Sequence, residues 1–140
     1  MATARKRELN GTVSDLSTAE NLAKTTRSAD LIPLRRAALI EAIQRKENLL
    51  ILGSHPDWQQ RNLLHEQTVL LRIGETNWTA PQLARFNLIE SVWTWIDSVR
   101  SVGSTLSTTV SALLDAQVLT ANDSTYVDHI SWPDPSGITV

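Results

Sequence analysis

With 140 residues and 15.5 kDa, the chain suits one domain, large enough for a modest core and too small for two. Its composition, 41% apolar and 20% charged, is ordinary for a soluble protein, and the lack of cysteine excludes disulfides and thiolate chemistry. The net charge of −2 hides an asymmetry: residues 1–46 carry nine Lys/Arg against five Asp/Glu, whereas 101–140 carry four Asp and no base. No apolar run approaches the roughly 20 residues of a membrane span. Arg5-Lys6-Arg7 leads into polar sequence, which predicts no signal peptide and synthesis in a cytoplasm.

Residues 1–29 read as a polar N-terminal arm, in which Ser14 through Lys24 has the spacing of a short helix that would be marginal alone. The first firm helix is predicted from about Asp30 to Leu52, with Asp30 as its cap, Pro33 in its first turn and Gly53 beyond its end. Leu39, Ile43 and Leu50 form its apolar stripe, widened by Ile40 and Ile51.

Two further helix starts are written as capping boxes. In Ser54-His55-Pro56-Asp57 and Thr79-Ala80-Pro81-Gln82 a hydroxyl is followed by proline two residues on and an acid or amide at the third. They predict helices over 55–73, ended by Gly74, and 80–102, ended by Gly103. The short link at Gly53 predicts a helical hairpin or a sharp bend there. In the third long helix Leu88, Val92, Trp95, Val99, Val102 and Leu106 alternate at spacings of 4 and 3, a coiled-coil seam. Ile89, Trp93 and Ile96 lie beside that seam, so the apolar arc is wider than one partner helix covers. A fourth helix is predicted from Thr105 to Leu119, followed by a strand-like run over Thr125–Ile130. Trp132-Pro133-Asp134-Pro135-Ser136-Gly137 cannot be helical. The expected fold is mainly α: a hairpin or bundle of three to four helices over 30–120, with extended arms at 1–29 and 121–140.

Motifs for chemistry are sparse. His55 and His65 stand too far apart on one helix to share a metal, and His129 is isolated, so the histidines read as exposed or capping groups. Asp128-His129 lacks any Gly-x-Ser-x-Gly context for a triad. Glu41/Glu47 and Glu90/Asp97 read as solvated helix charges, and the five glycines stand apart as element breaks, with no phosphate loop. No catalytic residue, cofactor or metal is expected. The oddity is five tryptophans against one Phe and one Tyr. Trp58, Leu88, Val92, Trp93, Trp95, Val99 and Trp132 are the candidate interface residues, because Trp anchors interfaces as readily as cores. Trp93 and Trp95 cannot share one helix face, so with Trp95 on the intrachain seam Trp93 is the candidate for a second contact.

His55-Pro56-Asp57-Trp58-Gln59-Gln60-Arg61-Asn62, followed by Trp93-Thr94-Trp95-Ile96-Asp97-Ser98-Val99-Arg100, resembles small tail proteins of tailed bacteriophages. There a Pro-x-Trp-x-x-Arg-Asn helix precedes a Trp-x-x-Ile-x-x-Val-Arg helix. The resemblance covers about residues 30–102. It implies a non-enzymatic component of a virion tail, baseplate or fibre, made in the host cytoplasm and touching other tail proteins. A fibre-assembly chaperone absent from the mature particle is the alternative, and a small nucleic-acid-binding module a second one. For the latter, Arg5, Lys6 and Arg7 make only a weak phosphate site, and no Lys or Arg lies between Arg85 and Arg100 to interleave with the aromatics. The wide apolar arc and the opposite charge of the two ends predict a homo-oligomer, with a trimer favoured by the resemblance.

Overall fold

The computed structural model describes the backbone of residues 11–129, 131–135 and 138, with side chains from residue 30 onward. The elements in order are α1 (Gly11–Ser54), α2 (Asp57–Ile73), a 3₁₀ turn (Glu75–Asn77), α3 (Ala80–Ser111), α4 (Asp115–Thr120) and α5 (Ser124–Val127). The fold is mainly helical, and no strand occurs among the described residues. The described residues divide into two compact units, those up to 38 with 113–121, and 39–112 with those from 122 onward.

Several boundaries differ from those expected. The first helix begins at Gly11 and absorbs both the short helix foreseen over 14–24 and the cap foreseen at Asp30, so Pro33 lies inside it. Residues 1–10 of the expected arm lie outside the described residues. Ser54 belongs to the last turn of α1 and caps nothing: the residue before α2 is Pro56, without a side-chain cap. The last turn of α1 reaches one step further, through the His55 N–H to the Ile51 carbonyl at 2.8 Å. The second capping box is present in full. Thr79 Oγ1 accepts from the Gln82 N–H at 3.3 Å, and Gln82 Oε1 accepts from the Thr79 N–H at 2.8 Å.

Gly103 does not end α3. It is buried in mid-helix, where an added Cβ would stand 2.6 Å from Glu47 Oε2. Its missing side chain admits the Glu47 carboxylate of α1, and α3 runs on to Ser111. The helix expected over 105–119 is therefore split: its front half belongs to α3, and α4 begins at Asp115. The strand-like run expected from Thr125 is also corrected. Asn122 Oδ1 accepts from the Ser124 N–H at 3.0 Å, the Asn122 carbonyl accepts from the Thr125 N–H at 3.1 Å, and this local turn opens α5. Ile130 lies outside the described residues. The described part of the Trp132 segment is non-helical, as the prolines require.

In the first unit the guanidinium groups of α1 hold the segment 113–121. Arg35 Nη2 donates to the Ala121 carbonyl at 2.5 Å, Arg36 Nη1 to that of Leu113 at 3.0 Å, and Arg36 Nη2 stands 3.5 Å from Asp115.

The second unit holds the main core: Ile51, Leu63, Leu70, Ile89, Val92, Trp95, Ile96 and Val99, with Trp78, Phe86, Trp93, Trp132 and Ile138 packed against it. α2 and α3 form an antiparallel hairpin. Gly74, at φ 91°, turns the chain where a β-carbon would be strained. The Trp78 indole N–H then donates to the Leu70 carbonyl at 2.7 Å, a second donor on an acceptor that the Gly74 N–H already reaches at 3.1 Å, and its ring packs tilted against Phe86 with centroids 4.6 Å apart. Across the hairpin Arg85 meets Glu66 at 2.6 Å, an ion pair that raises the guanidinium pKa further.

Candidate functional site

α2 carries two leucine doublets seven residues apart, Leu63-Leu64 and Leu70-Leu71. Neighbours on a helix point about 100° apart, so each doublet sends one side chain inward and one outward. Leu63 and Leu70 are buried in the core, whereas Leu64 is 57% and Leu71 60% exposed. Trp58, in the first turn of the same helix, is 58% exposed. Between α2 and α3 runs an open groove of about 510 Å³, lined by Asp57, Gln60, Arg61, Leu64, Gln67 and Trp93. Its floor is fixed by a short relay: the Trp93 indole donates to Gln67 Oε1 at 3.0 Å, and the Gln67 amide donates to the Glu90 carboxylate.

The seven candidate interface residues part company here. Val92, Trp95 and Val99 are taken up by the core of their own chain, each at most 5% exposed. The wide α3 arc that pointed to a second copy is thus filled from within, with Ile89 and Ile96 both fully buried. Leu88, Trp93 and Trp132 are half-buried. Trp95 donates to the Pro133 carbonyl at 3.4 Å and Trp132 to that of Tyr126 at 3.0 Å, which pins the C-terminal segment of this unit. Four of the five indole N–H groups are bonded within the chain, and Trp58 is the one without a hydrogen bond among the described residues. Its exposure and free donor make Trp58 the member of the set placed to meet another molecule. Leu64 and Leu71, which complete that surface, are absent from the sequence-derived set; the doublets were the available signal, since one helix cannot bury both members against a single neighbour.

A second open groove, of about 900 Å³, runs along α1 and is lined by Leu49, Leu52, Lys46, Arg45 and Val127, with Leu49 69% exposed.

The ionisable groups of this unit are placed by packing. His55, expected as an exposed or capping group, is 2% exposed, its ring 5.5 Å from that of Trp95 and its Nδ1 without a partner among the described residues. It occupies the α1–α2 link, and the Gln60 amide donates to its carbonyl at 2.6 Å. Burial holds its pKa below the usual imidazole range. Glu47 is pushed up by burial and drawn part of the way back by Arg100. Among the described residues no three His, Asp or Glu side chains gather to hold a metal ion, and no helix is long and apolar enough to cross a membrane. Comparison with known protein families, characterised proteins and solved structures finds no match to this chain.

Proposed function

We propose that the chain is a non-enzymatic assembly subunit, acting by occupying a place among other protein chains through the outward side of α2. One observation carries this reading: α2 is apolar on two sides, and the fold covers only one of them, leaving Trp58, Leu64 and Leu71 in solvent. Single exposed leucines are common on protein surfaces, but Leu64 and Leu71 lie about 20° apart around the helix and two turns apart along it, and Trp58 adds a third large exposed group on the far flank, so the uncovered side is one that an interface would use. The Pro-x-Trp-x-x-Arg-Asn pattern at 56–62 supports a bacteriophage tail as the setting, whether fibre, baseplate or connector, with self-association and contact to other tail proteins as the mode of action. Mass spectrometry of purified phage particles tests the setting. Stoichiometric recovery of the chain is the expected result. Absence from finished particles, with capture on isolated fibres, would make it an assembly chaperone, and absence from both would remove the phage reading.

A further inference from the structure

The outward side of α2 carries opposite charges at its two ends. Asp57 lies in its first turn and Arg72 in its last, and neither forms an ion pair within the described structure. Their placement suits the helix dipole, which by itself would account for the two charges. It does not account for the exposed Leu64 midway between them, nor for Trp58 and Leu71 at the two ends of the same surface.

Helical arithmetic brings these together. At about 100° per residue, Asp57, Leu64 and Arg72 fall within an arc of roughly 80°, with Trp58 and Leu71 on its two flanks. The positions of Asp57 and Arg72 are symmetric about the Leu64–His65 step. When two copies of α2 lie antiparallel across a twofold axis at that step, Leu64 meets its own counterpart. At each end Asp57 then stands level with the partner's Arg72, and the Trp58 ring lies on the flank that guanidinium shares. Opposed helix dipoles favour the same antiparallel arrangement.

We propose that a second copy of this chain docks on α2 in this antiparallel, twofold manner. Leu64 forms the centre of the contact, and two Asp57–Arg72 pairs set its direction. The inference rests on the assembly-subunit reading and names its first partner. An isologous contact closes on two copies, which departs from the threefold arrangement that the resemblance favours.

Sedimentation velocity of the full chain from about 5 to 200 µM tests this. The wild type is expected to shift from monomer to dimer over that range. Asp57→Arg and Arg72→Asp each place like charges opposite one another twice and should weaken the dimer roughly tenfold. The double variant restores opposite charges and should recover affinity to within about threefold of wild type, even though the reversed charges now oppose the helix dipole. Leu64→Glu should remain monomeric throughout with an unchanged circular dichroism spectrum. A wild type that stays monomeric at 200 µM, a trimer, or a double variant no better than the singles would overturn the proposal. Because recovery from particles is read separately, a monomeric chain still found in virions would refute this contact and leave the assembly reading standing.

Discussion

Gly103 shows how one missing methyl group is used. An alanine there gains about 0.5–1 kcal/mol of helix propensity, but its Cβ would meet Glu47 Oε2 at 2.6 Å and Cδ at 3.1 Å. Those atoms end a flexible side chain whose ionised form burial already disfavours, so the carboxylate can swing toward Arg100. Gly103→Ala is therefore expected to leave stability unchanged or raise it by up to about 1 kcal/mol in urea denaturation. Gly103→Leu should lower it, since a longer side chain reaches the Trp132 ring, 3.6 Å from the Cβ position. His55 and Glu47 set opposite pH trends. The folded pKa of His55 lies below 6.5, so its neutral form is favoured and stability falls as pH drops from 6.5 through that lower value. Glu47 has a folded pKa above 4.5, so stability rises as pH falls through that value toward 4.5. His55→Phe keeps a ring against Trp95 and should remove the acid-side loss, and Glu47→Gln should remove the gain. Stability curves from pH 4 to 8 check both, and a His55→Phe curve parallel to wild type would refute the first.

At the scale of elements the two capping sequences give contrasting expectations. Thr79→Ala removes a bonded cap and should lower stability by about 1 kcal/mol, while Ser54→Ala, at a position without a cap bond, should change it by less than about 0.5 kcal/mol. Pro33 lies inside α1 and is exposed, so Pro33→Ala should raise helicity and stability, by up to about 3 kcal/mol. A loss of helical circular dichroism signal in that variant would instead favour a helix starting near Pro33. The three long helices and the end of α2 at Gly74 were legible from apolar spacing and from helix-end chemistry, because those signals are local; that α2 and α3 pair as a hairpin across Gly74 was not among the expectations. Ser54 and Gly103 misled for a shared reason. A hydroxyl before proline and a glycine late in a helix are also local signals, but α1 runs on through Ser54, and Gly103 is held in mid-helix where it makes room for Glu47. The candidate site was legible in Trp58 and in Trp93, which lines the groove beside α2. Burial of Val92, Trp95 and Val99 depends on which helices approach α3, and no spacing within α3 states that.

For the whole molecule, the second unit concentrates its stability around one aromatic. Trp95→Ala would remove a side chain 5% exposed at the centre of the core, along with its ring contact to His55 and its bond to Pro133. The expected loss is about 3–5 kcal/mol, a large share of the stability of an ordinary domain. Trp58→Ala should leave folding within about 0.5 kcal/mol of wild type. Urea titration separates the two, and a Trp58 variant as damaged as the Trp95 variant would contradict the exposure of Trp58.

The unequal burial of the indoles has an optical consequence. Trp58 is 58% exposed, while Trp95 is buried and Trp78, Trp93 and Trp132 are half-buried. The intrinsic fluorescence of the chain should therefore contain one red-shifted component that acrylamide quenches readily, superposed on bluer and better protected emission. Trp58→Phe should delete that component and shift the remaining spectrum to shorter wavelength. Any chain that covers α2 would shield the same indole, so the quenchable fraction becomes a reporter of occupancy that needs no label.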